Sequence, residues 1–279
     1  MFRSVLNVQG QPIKKLDTIY IGYDAREQRA TEVLINSIER HASRPLNVVT
    51  INADALRRVG LYRRAPHIDS TVWADKPVDH MKDAFDGRPF STDFSFTRFL
   101  IPFLNQMEGL AVFMDCDMYF RSDPCRLFDE YAEPESYAIR CVQHQYDEGG
   151  QLLKKMYGCP QTSYSRKNWS SFVLYNCSHP AHHNLTVDDI NTKPGNWLHN
   201  FRWLDDDVIG DLPEEWNWLD GHSPHDVDPI NVHFTTGGPW FSQEAGLGYN
   251  TWQSQRPEDR KYCDEWLALS KELDRAAAA

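Results

Sequence analysis

Two carboxylates one residue apart, Asp115 and Asp117, follow directly on the apolar run Leu110-Ala111-Val112-Phe113-Met114. Side chains alternate along an extended chain, so the two acids face one side and Cys116 the other. Converging oxygens suit a hard divalent cation, Mg2+ or Mn2+, which completes its shell with phosphate oxygens and water. An Asp-x-Asp tripeptide is also common by chance in solvated loops. Here Met118-Tyr119-Phe120 follows it, so both acids sit amid hydrophobic chain, where a charge without a partner is costly. His233 is a candidate third ligand, because imidazole suits Mn2+ and the residue ends an apolar stretch before Thr235-Thr236-Gly237-Gly238. Gly237 and Gly238 permit close backbone approach to a phosphate. One histidine among eleven is more often structural, so His233 counts only beside the acids.

Such a cluster needs a sheet whose edge brings the acids together. Residues 18–22 read as a buried strand, 23–26 as a turn, 30–41 as a helix with Val33, Leu34 and Ile38 on one face, and 47–51 as a second strand. Strand, helix and strand in that order form a right-handed βαβ unit and imply a parallel sheet, which gathers ligands beyond the carboxyl ends of its strands. Residues 110–114 are short enough for a central strand, 136–142 and 171–175 are further strand candidates, and 230–234 is the last. Residues 52–92, with Pro66, Pro77, Gly87 and Pro89, read as an irregular excursion with one short helix, of the kind that covers a nucleotide site. Over 94–104, Phe96, Phe99, Leu100 and Phe103 have helical spacing, Pro102 threatens a break, and Ser95 and Arg98 fall on the polar face.

The chain has 279 residues, 41% hydrophobic and 25% charged, so it folds as one domain over 1–250 with a C-terminal helical appendage over 251–279, whose closing alanines carry no functional reading. A net charge of −11 excludes nucleic acid as a partner. Membrane contact is at most peripheral: no run approaches the roughly 18 apolar residues of a spanning helix, and the arginine pairs 57–58 and 63–64 meet anionic lipid, an acidic acceptor or, on a solvated helix face, water. Six cysteines without a CxxC pair, and an N-terminus unlike a signal peptide, predict a reducing, cytoplasmic setting.

Asp115-Cys116-Asp117, taken with Val232-His233-Phe234-Thr235-Thr236-Gly237-Gly238-Pro239-Trp240, resembles the nucleotide-sugar glycosyltransferases of the GT-A fold. Glycosyltransferase family 8, the glycogenin-like and lipopolysaccharide galactosyltransferase-like enzymes, is the nearest match. The resemblance implies an α/β, Rossmann-like architecture with a mixed, mainly parallel sheet flanked by helices. It implies Mn2+ or Mg2+ on Asp115, Asp117 and His233. The donor would be a nucleotide sugar, a UDP-sugar, and the acceptor a hydroxyl such as that of a bacterial surface glycan or lipopolysaccharide precursor, with retention of configuration.

Other blocks extend the resemblance. Ser95-Phe96-Thr97-Arg98 is similar to the segment whose basic residue reaches the nucleotide diphosphate, a task that suits an arginine fork. Residues 169–176 are similar to the strand that begins beside the donor sugar, where the small Ser170 and Ser171 leave room. Residues 203–209 resemble the family's Asp-Gln-Asp helix start, with Asp206 at the Gln position. Asp205 and Asp206 would then face the reacting sugar carbon; helix capping by these acids is the equal alternative. In the first turn, Tyr23 would stack on the base, Asp24 accept its hydrogen bond and Arg26 lie alongside, although Asp24 can equally cap the next helix. Trp240, beside the glycine turn, offers an aromatic face to a sugar.

One departure stands out. Family members carry a Lys shortly before Pro-Trp, whereas Gly238 stands there in this chain, so the leaving phosphate needs another cation: Arg98, Lys167 or an arginine from 52–92. Two rival functions fit in part. A metal-dependent nucleotidyltransferase wants a glycine- and base-rich loop after the first strand, where Gly22-Tyr23-Asp24-Ala25 offers one glycine. A non-catalytic sugar- or protein-binding module can share the fold without a metal.

Overall fold

In a computed structural model, residues 16–73, 76–132, 136–145, 154–155, 159–160, 165–235, 237–240 and 257–278 are described. The central sheet has the order β12-β8-β11-β6-β1-β2. Its strands are β1 (Thr18–Gly22), β2 (Asn47–Ile51), β6 (Leu110–Met114), β8 (Ile139–Cys141), β11 (Phe172–Asn176) and β12 (Ile209–Asp211). Five run in one direction, and β11 runs antiparallel to both β6 and β8. All five residues of β1 and of β11 are buried, so each reads as an unbroken apolar run. β2, at the edge, is buried only at Ile51. The mixed, mainly parallel sheet is the architecture expected from the sequence.

α1 (Gln28–His41) crosses from β1 to β2 and buries Leu34 and Ile38 against the sheet. Gly22 ends β1 under the ring of Phe94, where a Cβ would meet Cδ2 at 2.5 Å. Thr97–Leu100 forms a 3-10 turn that runs into α3 (Ile101–Leu104). Pro102 sits in the first turn of α3, where its missing N–H has no helical partner to lose, so the helix is not broken there.

A second, three-stranded sheet lies beyond the acidic pair: β13 (Trp218–Leu219), β14 (Asn231–His233) and β7 (Met118–Phe120). α7 (Arg260–Ala278), within the expected C-terminal helical segment, buries Tyr262, Trp266 and Leu269 in a cluster with Val33, Tyr119, Trp218, Val232 and Phe234. Arg29 of α1 bonds Ser270 and Asp274, and Arg40 bonds Glu272, so α7 is docked on α1.

The structure corrects three expectations. Residues 52–92 are not irregular: after α2 (Ala53–Arg58) comes an antiparallel ribbon of β3 (Pro66–Trp73), β4 (Lys76–Asp83) and β5 (Pro89–Phe90). A ribbon alone needs no alternating apolar face, which is why the mixed composition concealed it. Residues 203–210 contain no regular helix start but a 3-10 turn at Asp206–Val208 leading into β12. The remaining elements are α4 (Cys125–Glu130), α5 (Val187–Thr192), α6 (Gly195–His199) and the short pair β9 (Lys154–Lys155) and β10 (Cys159–Pro160). Among the described residues, Cys116, Cys125, Cys141, Cys177 and Cys263 are buried and in no disulfide, and no helix is long and apolar enough to cross a membrane.

Arg64, expected at a lipid or solvent face, is 3% exposed. It donates to both Asp83 oxygens at 2.9 and 2.7 Å and to the carbonyls of Ile190 and Lys193, while Phe96 stacks on it at 4.0 Å. The guanidinium therefore ties the ribbon to the loop between α5 and α6.

Candidate active site

The Asp115-Cys116-Asp117 turn leaves the carboxyl end of β6 and is pinned at both ends. Asp115 N donates to Ser171 O at 2.9 Å, and Phe234 N donates to Asp117 O at 2.9 Å. Cys116 turns into the core and donates to Glu27 at 3.4 Å; burial pushes its thiol well up, with the Glu27 charge adding to the effect. β14 pairs with β7 so that His233 lies opposite Met118, beside Asp117. Ligand atoms of Asp115, Asp117 and His233 all lie within 4.8 Å of one another, and all three residues are buried.

The imidazole is oriented by Asn217. Its Nδ2 donates to Ser171 Oγ at 3.1 Å, which turns its Oδ1 towards His233 Nδ1 at 3.0 Å. Nδ1 therefore carries the proton, and Nε2 faces Asp117 Oδ1 at 3.3 Å. Two electron-rich atoms held that close make a site that a metal ion could share. Two carboxylates and one imidazole are a donor set that suits Mn2+ or Mg2+.

A cleft opens from this corner and is lined by Asp115, Asp117, Ser95, Arg98, Ser170 and Ser171. Arg98 is 5% exposed, donates to Ser170 O at 2.8 Å and pairs with Asp115 at 3.0 Å. The rings of Phe94 and Phe113 lie 5.5 and 5.0 Å from its guanidinium. Its Nε has no hydrogen-bond partner among the described residues.

Sequence reasoning missed several lining residues: Asp86 and Arg88 from the ribbon, Asn168, Asn196 and His199. His199 Nδ1 is 2.8 Å from Ser170 Oγ, and burial, reinforced by Arg98 and Arg64, drives its pKa well below that of ordinary imidazole. It lines the cleft as a neutral ring. No motif marks it; its place follows from the packing of α6 against Phe96 and Phe99.

Other expected site residues lie elsewhere. Asp24 is 1% exposed and caps the 3-10 turn Ala25–Glu27, accepting from Arg26 N and Nε at 2.9 Å and from Asp93 N at 3.2 Å. Burial alone would raise its carboxyl, but the Arg26 bonds outweigh burial and hold it below the usual range. Tyr23 is half-buried, and with Asp24 and Arg26 it sits at the carboxyl end of β1 outside the cleft lining. Gly238 lies under Trp240, whose ring packs edge-on against Phe234 and 5.3 Å from Trp266, in the α7 cluster. Gly237 adopts a φ of 107°. Asp205 and Asp206 are exposed, Asp206 pairs with Arg166, and neither lines the cleft. Lys167 is half-buried next to Asn168 and is also outside the lining, whereas Arg88 of the 52–92 segment lines it.

A metal-suited corner at the carboxyl edge of this sheet belongs with the GT-A fold of glycosyltransferases. Over 93% of its length the chain superposes on the bifunctional glycosyltransferase WbbM with a TM-score of 0.52 at 14% identity, spanning 52% of that chain. It matches the galactosyltransferase LgtC with a TM-score of 0.50 at 9% identity, over 91% of this chain and 95% of LgtC. No family model matches the sequence. The chain belongs to the family of protein CDI of Arabidopsis thaliana, with which it is 38% identical over 265 residues, 91% of this chain and 93% of that protein.

Proposed function

We propose that this protein is a glycosyltransferase that moves a sugar from a nucleoside-diphosphate sugar, a UDP-sugar, to a hydroxyl acceptor. The observation that carries this reading is the buried Asp115, Asp117 and His233 corner, with ligand atoms within 4.8 Å, opening on a cleft walled by Arg98. These three side chains would hold Mn2+ or Mg2+, which would supply Lewis-acid stabilisation of the diphosphate.

The chain's own groups do the rest. Arg98, locked by Ser170, Asp115 and two aromatic rings, keeps a positive charge fixed where negative charge gathers on the departing diphosphate, so no reorganisation is needed during reaction. Arg88 is a second cation on the cleft wall and stands in for the missing family lysine. Ser170, Ser171 and neutral His199 present hydroxyl and imidazole groups that hydrogen-bond a sugar without adding charge. Tyr23 and Arg26, at the same sheet edge, are assigned the base and ribose, with Asp24 holding the Arg26 guanidinium in place.

In the transfer, the acceptor oxygen bonds to the anomeric carbon as the bond from that carbon to the diphosphate breaks. The electron pair leaves on the nucleoside diphosphate, which also takes up the hydroxyl proton. LgtC, crystallised with donor and acceptor sugar analogs, supports placing both substrates on this fold. Buried thiols outside disulfides support a reducing, cytoplasmic setting. The test is release of UDP from UDP-hexoses in the presence of Mn2+. Turnover by the wild type and none by Asp115→Ala supports the reading, whereas a chain that binds sugars but never consumes a sugar nucleotide is a binding module.

A further inference from the structure

A second cleft opens at the same carboxyl edge of the sheet, where the chain leaves β8 and β12. Gln143, His144, Asp211, Glu214 and His222 line it. His144 is 8% exposed, and its Nε2 is buried without a hydrogen-bond partner among the described residues. The backbone of Asn217 stands beside the ring. Asn217 is the residue whose side chain orients His233, so a single residue braces both the metal corner and the second cleft. Two further links join them: Trp169, adjacent to Ser170, donates to His144 O at 3.0 Å, and Leu219, which lines the second cleft, pairs with His233 across β13 and β14.

Burial pushes the His144 imidazole down to about 3, so the ring is neutral, and its buried Nε2 is left to hydrogen-bond a ligand. A buried polar nitrogen is costly unless it is hydrogen-bonded, and an alcohol hydroxyl, both donor and acceptor, serves it with either tautomer. Around it stand amides, carboxylates and a second imidazole, groups that together satisfy a ligand rich in hydroxyls.

We infer that this cleft binds the hydroxyl-bearing acceptor, with His144 Nε2 hydrogen-bonded to one of its hydroxyls. The inference rests on the glycosyl-transfer reading for the word acceptor, but not for the chemistry of the cleft. His144 orients the incoming sugar, and it is the side chain that sets which hydroxyl approaches the metal corner.

The experiment applies the intact chain, saturated with UDP and Mn2+, to a printed array of oligosaccharides. The wild type is retained on a subset of sugars. His144→Phe loses about tenfold of that signal while its affinity for UDP stays within about twofold. His222→Ala, on the exposed rim where folding is not at stake, loses several-fold and decides the matter if His144→Phe does not fold. UDP binding without retention of any sugar, or an unchanged sugar signal in both variants, overturns the inference. Failure of the transfer reading looks different: the wild type then shows no Mn2+-dependent UDP binding, and a His144-dependent sugar signal identifies a binding module.

Discussion

Replacing Arg64 with Ala tests whether the ribbon is a built wall of the cleft. The Arg64 and Asp83 side chains are 1% and 2% exposed, and Arg64 makes four hydrogen bonds, two to Asp83 and one each to the Ile190 and Lys193 carbonyls. Removing one partner of such a pair strands the other charge in the interior and costs about 3–5 kcal/mol. With Tm falling by roughly 2–4 °C per kcal/mol in chains somewhat shorter than this one, Arg64→Ala should melt about 6–20 °C lower. Asp83 and Phe96 line the cleft and Gly195 N donates to Asp83, so sugar-nucleotide affinity should fall as well. Arg260→Ala is the control: Arg260 and its partner Asp264 are 55% and 59% exposed, and the loss should stay within about 1 kcal/mol. Urea denaturation followed by tryptophan fluorescence gives both values, and Arg64→Ala/Asp83→Ala should lose less than the two single variants added together. A cost below about 1 kcal/mol for Arg64→Ala would show that burial and bonding there carry no energetic weight, and the clamp would be wrong.

Acidification should destabilise the fold, because His182 and His144 have pKa values pushed down by burial to about 4 and about 3. Both lie below the unfolded value of about 6.5, so the unfolded chain binds more protons, and each histidine removes up to about 1.4 kcal/mol per pH unit as pH falls below 6.5. A urea midpoint that stays level from neutrality to pH 5 would contradict this. Cys116→Ala removes only a thiol bond to Glu27, so it should cost about 1–2 kcal/mol and leave the response to Mn2+ intact by thermal shift. Gly238→Ala should cost about 1–3 kcal/mol in the same assay, because its Cβ would fall 1.9 Å from a Trp240 ring carbon. Asp206→Ala should change UDP-sugar turnover by less than about threefold, since this side chain lies outside the cleft; a loss of about a hundredfold would return it to the reacting carbon.

β1 and β6 were legible because strands buried on both faces must be apolar throughout, and the acids after Met114 were legible because they interrupt such a run. The register of β14 on β7, which sets His233 beside Asp117, is a tertiary fact that residue types alone do not carry. Arg64 looks like Arg57 and Arg63 in sequence; only the fold of the ribbon brings Asp83 to it. His144 and His199 belong to no motif, and their roles follow from which side chains pack around them. β12 escaped notice because three residues, one of them glycine, give no periodicity to read.

The central claim is that Asp115, Asp117 and His233 hold a cation that binds a nucleoside diphosphate. Calorimetric titration of UDP into the wild-type chain, with Mn2+ and then with EDTA, addresses it most directly, with Asp117→Asn run alongside. The account predicts binding with Mn2+ that is lost both in EDTA and in Asp117→Asn. At about a hundred times Kd, UDP should add about 2.7 kcal/mol of stability to the wild type alone. Equal UDP affinity in all three conditions, or no affinity in any, would contradict it.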